Sequence, residues 1–444
     1  MPPAQFRLCL VVCCAALFAA YSQTAAAKTL CVNPAGSHGC YATIQSAVTA
    51  ASSNDVINVA PGTYKEDVVI GKPLSLIGTR GSSVIDATGL PNGIFLDGYD
   101  NPGLTTVTVA GFTVKNALYE GILVVDTSNA TILNNKVLDN DKEGPVFGSG
   151  PACNGQPAYE TDESGDCGGA IHLMGAVNVT VDGNYITGNA DGILISDDTG
   201  ASYDNVLVNN NVTDNPLECG IVLASHPPVG SVPPYYAAHY GVFNNTVVNN
   251  VSNANGVKIG GAGVGLFSDG EGPGRASGNL IQGNRLTNNG IPGVALHTHV
   301  GPAFGAPADN MDGNVIIGNY IAGNGADTAD TATPGPTGIN INSGDGGSPV
   351  NGTVIFQNVI RNEQVDIAVN DPVELDAHFN DLLGGNIGMA NVCAFDLSTV
   401  CTGSIDATEN YWGCAAGPGG GKCATTYGSG ISFAPWLKHR EHRE

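Results

Sequence analysis

The chain has 444 residues, of which 62 are glycine, 13% are charged and 42% are hydrophobic. Glycine is about twice as frequent as usual and shows no collagen period, which favours many tight turns and short strands, and the hydrophobic content argues against global disorder. The formal net charge of −24 argues against nucleic acid and anionic membranes as partners, and it leaves carboxylates as candidate Ca²⁺ ligands.

Residues 1–27 have the features of a secretory signal peptide. Arg7 is their only charge, the apolar run LCLVVCCAALFAA follows it, and small residues precede Lys28. No later apolar run reaches the ~18 residues of a membrane span. We therefore expect a secreted protein, extracellular or periplasmic. Its single domain would cover 28–444, with an insertion loop at 142–168 and a C-terminal cap at about 393–437.

Nine cysteines follow the signal, and eight of them form close pairs in the sequence. An export signal favours disulfides, and closure of short local loops is the simplest pairing, although other connectivities stay open. Cys219 is left over and is interpreted as a buried thiol on a strand. The close pairs are Cys31/Cys40, Cys153/Cys167, Cys393/Cys401 and Cys414/Cys423.

The segment after the signal predicts a short helix. Ile44, Ala47, Val48 and Ala51 recur at i, i+3, i+4 and i+7, which places them on one apolar helix face. Such a helix would cap the open end of the strands that follow.

A repeated hexapeptide then indicates the architecture. Six copies read N-x-[VIL]-x-x-N, and the seventh has its second asparagine one place early, at Asn362. Short strands of alternating hydrophobicity flank the copies, which predicts a solenoid of about ten to twelve coils with one strand face buried. Asparagine at the same corner of each coil would stack in a ladder, with ~1 kcal/mol gained per hydrogen bond. The copies span residues 135–140, 184–189, 210–215, 245–250, 284–289, 319–324 and 358–363.

Two segments resemble a known group of proteins. The opening YATIQSAVTAASSNDVINVAPGTYKEDVVIGKPLSLIGT (41–79) resembles the N-terminal end of pectin methylesterases and related carbohydrate-binding β-helix proteins. The closing ENYWGCAAGPGGGKC…ISFAPWL (409–437) resembles their C-terminal coil. The chain is thus similar to right-handed parallel β-helix repeat proteins of the pectin-lyase-like superfamily over nearly all of 41–437. This resemblance implies an all-β fold, a single-stranded right-handed parallel β-helix with a short N-terminal capping helix.

Strands opened by glycine place a candidate site at one corner of the coils. Aligned on Gly192, Gly220, Gly263 and Gly293, the sixth residue after each glycine is aspartate or histidine, and long insertions begin just after it. Insertions at one corner of a solenoid gather on one face, which is often the binding face. The column comprises Asp198, His226, Asp269 and His299, with Asp197 and His297 beside it.

The chemistry of this column is left open by the sequence. Two carboxylates could act as acid and base on a glycosidic bond. Asp197, Asp198 and Asp269 could instead bind Ca²⁺ while a histidine removes a sugar proton, or His and Asp could bind a transition metal. We expect a carbohydrate-active protein that cleaves or modifies a polysaccharide as a lyase, glycoside hydrolase or epimerase. The alternative is a non-catalytic glycan-binding or structural protein of the cell surface or periplasm.

Overall fold

The computed structural model describes residues 26–141, 168–225, 239–268, 274–298, 308–328, 333–342, 348, 350–370, 373–392 and 403–441. The predicted signal peptide, residues 1–27, therefore lies almost entirely outside the described residues. Within them the chain forms one helix, Ile44–Ala50, and 40 short strands. Paired strands run parallel, and the chain passes from sheet A to sheet B to sheet C in successive coils, as a parallel β-helix requires.

The strands belong to three long sheets and one short sheet. Sheet A contains Thr29–Val32, Asp55–Val59, Leu74–Gly78, Thr108–Ala110, Thr131–Leu133, Thr180–Asp182, Val206–Val208, Thr246–Val248, Leu280–Gln282, Val315–Ile317, Val350–Phe356, Val373–His378, Ser404–Asp406 and Ile431–Ser432. Sheet B contains Gly62–Tyr64, Ser83–Asp86, Phe112–Lys115, Lys136–Leu138, Tyr185–Thr187, Asn211–Thr213, Val251–Asn253, Arg285–Thr287, Tyr320–Ala322, Val359–Arg361 and Asp381–Leu383.

Sheet C contains the strands that precede the residues of the predicted column in the sequence. It contains Val68–Ile70, Ile94–Asp97, Ile122–Val125, Ile171–Met174, Ile193–Ser196, Ile221–Ser225, Val264–Ser268, Val294–Thr298, Thr337–Asn342, Val365–Asn370, Ile387–Val392 and Thr425–Tyr427. Sheet D is a short corner sheet of Ser202–Tyr203, Val242–Phe243 and Ala276–Ser277.

The capping helix is confirmed. Ile44, Ala47 and Val48 are buried in the main core, as their spacing predicts. The Thr43 hydroxyl accepts a hydrogen bond from the Ser46 backbone N–H at 3.2 Å, which satisfies one of the free donors of the first turn. The helix therefore closes the first coil with an apolar face.

Asparagine ladders connect successive coils by hydrogen bonds. They also show that one of the seven predicted hexapeptides is out of register with the others. In each step the Oδ1 atom of one asparagine accepts hydrogen bonds from the backbone N–H and the side-chain amide of its counterpart in the preceding coil, as Asn184 does from Asn135 at 2.9 and 3.1 Å. The ladder through Asn135 and Asn184 continues through Asn250. Asn245 belongs instead to a third ladder, with Asn205. The fourth copy of the repeat is therefore 250–255, five residues later than the sequence interpretation placed it.

The seventh copy also differs from its interpretation. Glu363, and not Asn362, takes the ladder position, and its carboxylate accepts from the Asn324 backbone N–H and side-chain amide at 3.0 Å each. Asn362 lies next to it with a φ of 59°, in the left-handed conformation that asparagine tolerates at a corner. The corner geometry is thus kept while the hydrogen-bonding residue changes.

The central strands of sheet C are buried on both faces, which corrects the prediction of one buried face. Ile122 and Val124 lie in the main core inside the solenoid. Leu123 and Val125 point to the other side and form a separate apolar cluster with Met174, and all three are buried. Strands that are covered on both faces contain continuous apolar runs, and ILVV at 122–125 is such a run.

Two of the close cysteine pairs form disulfides, Cys31–Cys40 and Cys414–Cys423. The other two pairs lie outside the described residues. Cys219 is a buried free thiol just before the strand Ile221–Ser225, and its sulfur accepts a hydrogen bond from the Ala262 backbone N–H. Among the described residues, no helix has the length and apolarity needed to cross a membrane.

Candidate functional site

The strand pairing in sheet C has the register that the predicted column requires. Ile193, Ile221, Val264 and Val294, which follow the four glycines, are successive Cα partners. Pairing continues to Ser225, Ser268 and Thr298, one residue before the column itself. Asp198 is the one column member among the described residues. His226, Asp269 and His299 lie outside them, so their place in one column stays a prediction.

His297 points away from the core, as its alternation predicts. Val294 and Leu296 lie in the main core, whereas Ala295 belongs to a cluster on the other face. The His297 ring lies 4.5 Å from the Phe267 ring, and the side chain is 3% exposed. Three strand steps separate it from Ser196, or ~14 Å along the axis at the usual strand spacing. His297 and Asp198 therefore cannot act on the same bond.

A chain of polar side chains surrounds Asp198. The Ser196 hydroxyl donates to Asp198 Oδ2 at 2.5 Å, and the same hydroxyl oxygen lies 2.8 Å from His172 Nε2. On the other side of the ring, His172 Nδ1 lies 3.6 Å from Glu120 Oε1. We call these four side chains the outer-face array. They come from three successive coils and are at most 2% exposed.

The strands of sheet C determine this arrangement. His172 is the outward residue at the second position of Ile171–Met174, and Ser196 ends the paired strand Ile193–Ser196. Gly168 makes room for the carboxylate of Glu120, because a Cβ atom there would lie 2.3 Å from Oε1 and its φ of 106° suits glycine. The array is thus built from strand register and one obligatory glycine.

The array places His172 between two carboxylates, within hydrogen-bond distance of Ser196 but 3.6 Å from Glu120 Oε1, which is too long for a hydrogen bond. The single hydroxyl hydrogen of Ser196 is directed to Asp198, so His172 Nε2 must donate to the hydroxyl oxygen. A second proton on the imidazole would sit on Nδ1 and face Glu120. Histidine between a carboxylate and a hydroxyl is suited to general acid–base chemistry, and a dry environment strengthens each hydrogen bond.

Asp197 points elsewhere than Asp198. Its Oδ2 atom accepts hydrogen bonds from the Ser225 hydroxyl at 2.7 Å and from the Gly241 backbone N–H at 2.6 Å, and the residue is fully buried. These bonds join the end of sheet C to the next corner. The calcium role of Asp197 and Asp198 stays a prediction, and so does that of Asp269.

Sequence reasoning missed Glu120 and His172. The residue before the strand of His172 is Ala170, at the place where the next coil has Gly192, so a search for glycine-opened strands passed over it. The available signal was a histidine at an outward position within the apolar run AIHLM. Glu120 precedes its strand and carried no pattern of its own.

Comparisons with known proteins agree with this geometry. The family described as the right-handed beta helix region matches residues 82–270. No curated protein sequence matches the chain. The chain is a right-handed parallel β-helix protein. This is the fold that the repeats and the opening and closing segments predict.

Several solved structures are similar to this chain. The catalytic unit of a thermostable GH87 α-1,3-glucanase from Streptomyces thermodiastaticus is 15% identical, with a TM-score of 0.51 over 89% of this chain and 65% of that one. The Dettilon tailspike protein is 13% identical, with a TM-score of 0.54 over 85% of this chain and 62% of that one. The A-module of the Azotobacter vinelandii mannuronan C-5 epimerase AlgE6 is 16% identical, with a TM-score of 0.46 over 88% and 94%. The chain thus spans less than two thirds of the glucanase unit and of the tailspike.

Proposed function

We propose that this protein is a secreted carbohydrate-active β-helix protein that performs acid–base chemistry on a polysaccharide along the outer face of sheet C. The observation that carries the proposal is the outer-face array, in which His172 lies between Glu120 and the Ser196–Asp198 pair. Such an array supplies a proton donor and a proton acceptor in one dry place, as glycosidic cleavage, elimination and epimerisation each require.

The shape of the fold supports a polymer as substrate. Sheet C has 12 parallel strands, and at ~4.8 Å per strand it offers an extended face of ~50 Å. His297 lies three strands from Ser196 on this face, a distance that several sugar units of one chain would span. In this proposal Asp198 and its column partners His226, Asp269 and His299 contact the polymer, and His172 positions the proton. Calcium binding by Asp197, Asp198 and Asp269 belongs to the same proposal.

One observation favours a second candidate, a non-catalytic glycan-binding or structural protein. All four members of the array are at most 2% exposed, so a sugar reaches them only after the outer face opens. A buried polar network can equally fix the register of neighbouring coils without performing any chemistry.

One experiment separates the two candidates. The purified protein is incubated with a panel of neutral and uronate polysaccharides, with Ca²⁺ and with chelator, and both products and retained glycan are measured. The enzyme proposal predicts product from the wild type, and lost turnover with kept binding in Asp198→Asn. The matched control Asp214→Asn changes an exposed aspartate at a sheet B corner with a φ of 57°, and it should behave as the wild type. Retention without product would establish the second candidate, and neither product nor retention would discard both.

A further inference from the structure

A second cluster of titratable side chains lies on the outer face of sheet A, near the C-terminal end of the solenoid. Asp376 and His378 are on the strand Val373–His378, and Asp406 ends the next strand, Ser404–Asp406. Leu375 and Ala377 are buried in the main core, so the two alternate residues point outward together. Asp376 and Asp406 are direct Cα partners. One ligand atom from each of the three side chains lies within 4.8 Å of the other two.

We propose that Asp376, His378 and Asp406 bind a divalent transition-metal ion of the zinc class. Zinc bonds to imidazole nitrogen and carboxylate oxygen are ~2.0–2.2 Å long, so tetrahedral ligand atoms lie ~3.3 Å apart. The ligand atoms lie within 4.8 Å of one another, and rotation of the exposed Asp376 side chain can shorten its distances towards that spacing.

Thr408 holds two of the three ligands in place. His378 Nδ1 lies 2.9 Å from the Thr408 carbonyl oxygen, which can only accept, so in the neutral imidazole the Nδ1 atom carries the hydrogen and Nε2 has the lone pair. The Thr408 backbone N–H donates to Asp406 Oδ1 at 3.1 Å. A histidine whose second nitrogen donates to a backbone carbonyl is the usual state of a metal-bound imidazole.

The donor set selects the class of ion. One imidazole nitrogen disfavours Ca²⁺ and Mg²⁺, which prefer all-oxygen sites, whereas nitrogen with carboxylates suits Zn²⁺, Co²⁺ or Ni²⁺. Two carboxylates and a neutral imidazole carry a net charge of −2, which balances a divalent ion. Three protein ligands leave further positions to water, so the site is open to solvent.

The test measures Zn²⁺ binding by isothermal titration to the untagged, chelator-treated full chain. His378→Ala, Asp376→Asn and Asp406→Asn should each remove one equivalent of bound Zn²⁺ or weaken it by more than about tenfold, with unchanged circular dichroism. The control His38→Asn changes an exposed histidine in the first coil, where a φ of 57° is also tolerated by asparagine, and it should bind as the wild type.

Three results would overturn the proposal. The first is unchanged Zn²⁺ stoichiometry and affinity in His378→Ala. The second is loss of the same equivalent in His38→Asn, which would show scattered surface binding. The third is displacement of Zn²⁺ by an equal concentration of Ca²⁺, which would contradict the assigned class of ion. None of these results depends on whether the protein acts on a glycan.

Discussion

Replacement of Glu363 by glutamine tests the electrostatics of the buried ladder. Glu363 is 3% exposed and takes an asparagine position, where it accepts from the Asn324 backbone N–H and side-chain amide. Burial raises its pKa to about 7, although the hydrogen bonds from Asn324 oppose that change. Burial also raises the pKa of the nearby Asp366 well above its usual range. Between pH 4.5 and about 7, Glu363 is therefore protonated in the folded protein and ionised in the unfolded chain.

The size and sign of the effect follow from linkage. The ordinary pKa of 4.5 and the folded value of about 7 differ by about 2.5, which corresponds to ~3 kcal/mol at ~1.4 kcal/mol per pH unit. Below pH 4.5 both states are protonated and nothing is lost. Between 4.5 and 7 the unfolded state binds fewer protons than the folded state, so the free energy of unfolding falls as pH rises, and above 7 it levels off.

Glutamine keeps an acceptor oxygen and is neutral at every pH. We therefore expect Glu363→Gln to match the wild type near pH 4.5 and to exceed its free energy of unfolding by up to ~3 kcal/mol near pH 8, as measured by urea unfolding with chelator present. Glu374→Gln, which changes an exposed glutamate on the strand Val373–His378, is the control and should not alter the pH dependence. Parallel pH curves for wild type and Glu363→Gln, or a less stable variant at pH 8, would refute the reasoning.

Two further predictions concern stability and reactivity. Asn250→Ala should lower the free energy of unfolding by about 3–5 kcal/mol, because it removes the Oδ1 acceptor of the buried Asn210 backbone N–H and side-chain amide. The control Asn209→Gly changes an exposed corner residue with a φ of 55°, and its free energy of unfolding should stay within ~0.5 kcal/mol of the wild type. Equal urea midpoints for the two variants would contradict this. Cys219 should resist thiol reagents in the native protein and react on unfolding, since burial raises the pKa of its thiol. Native labelling as fast as that of a free thiol, followed by mass spectrometry, would argue against it.

The fold was predictable because the repeat is physically simple. A stacked asparagine must recur once per coil at the same corner, so its spacing in the sequence shows the winding of the chain. The error in the fourth copy has a clear cause. Asn245, Asn250 and Asn255 are five residues apart, but the copy at 250–255 has Ser252 where the pattern requires Val, Ile or Leu, so only the overlapping hexapeptide 245–250 fits the pattern. Only the hydrogen bonds assign Asn245 to one ladder and Asn250 to another.

The candidate site was less predictable. Alternation correctly indicated that His297 points away from the core, but the hydrophobic pattern was interpreted as one buried face. The outward residues Leu123, Val125 and Leu194 are themselves apolar, which is the pattern of a strand covered on both faces. Contacts such as His172 to Glu120 join residues 52 positions apart that share no motif, so only the coil register brings them together.

The asparagine ladders keep the strand register independent of the length of the segments between the strands. Asn140 and Asn189 are 49 residues apart and Asn189 and Asn215 are 26 apart, yet the amide-to-oxygen distances are 2.9 and 3.0 Å. Extra residues between strands therefore leave the register unchanged. The asparagine ladders fix the strand register at the corners of the coils. Asp198 lies outside these ladders, just beyond the end of the strand Ile193–Ser196. Substitutions in the ladder should thus change stability throughout the solenoid, whereas substitutions at the strand ends should change function first.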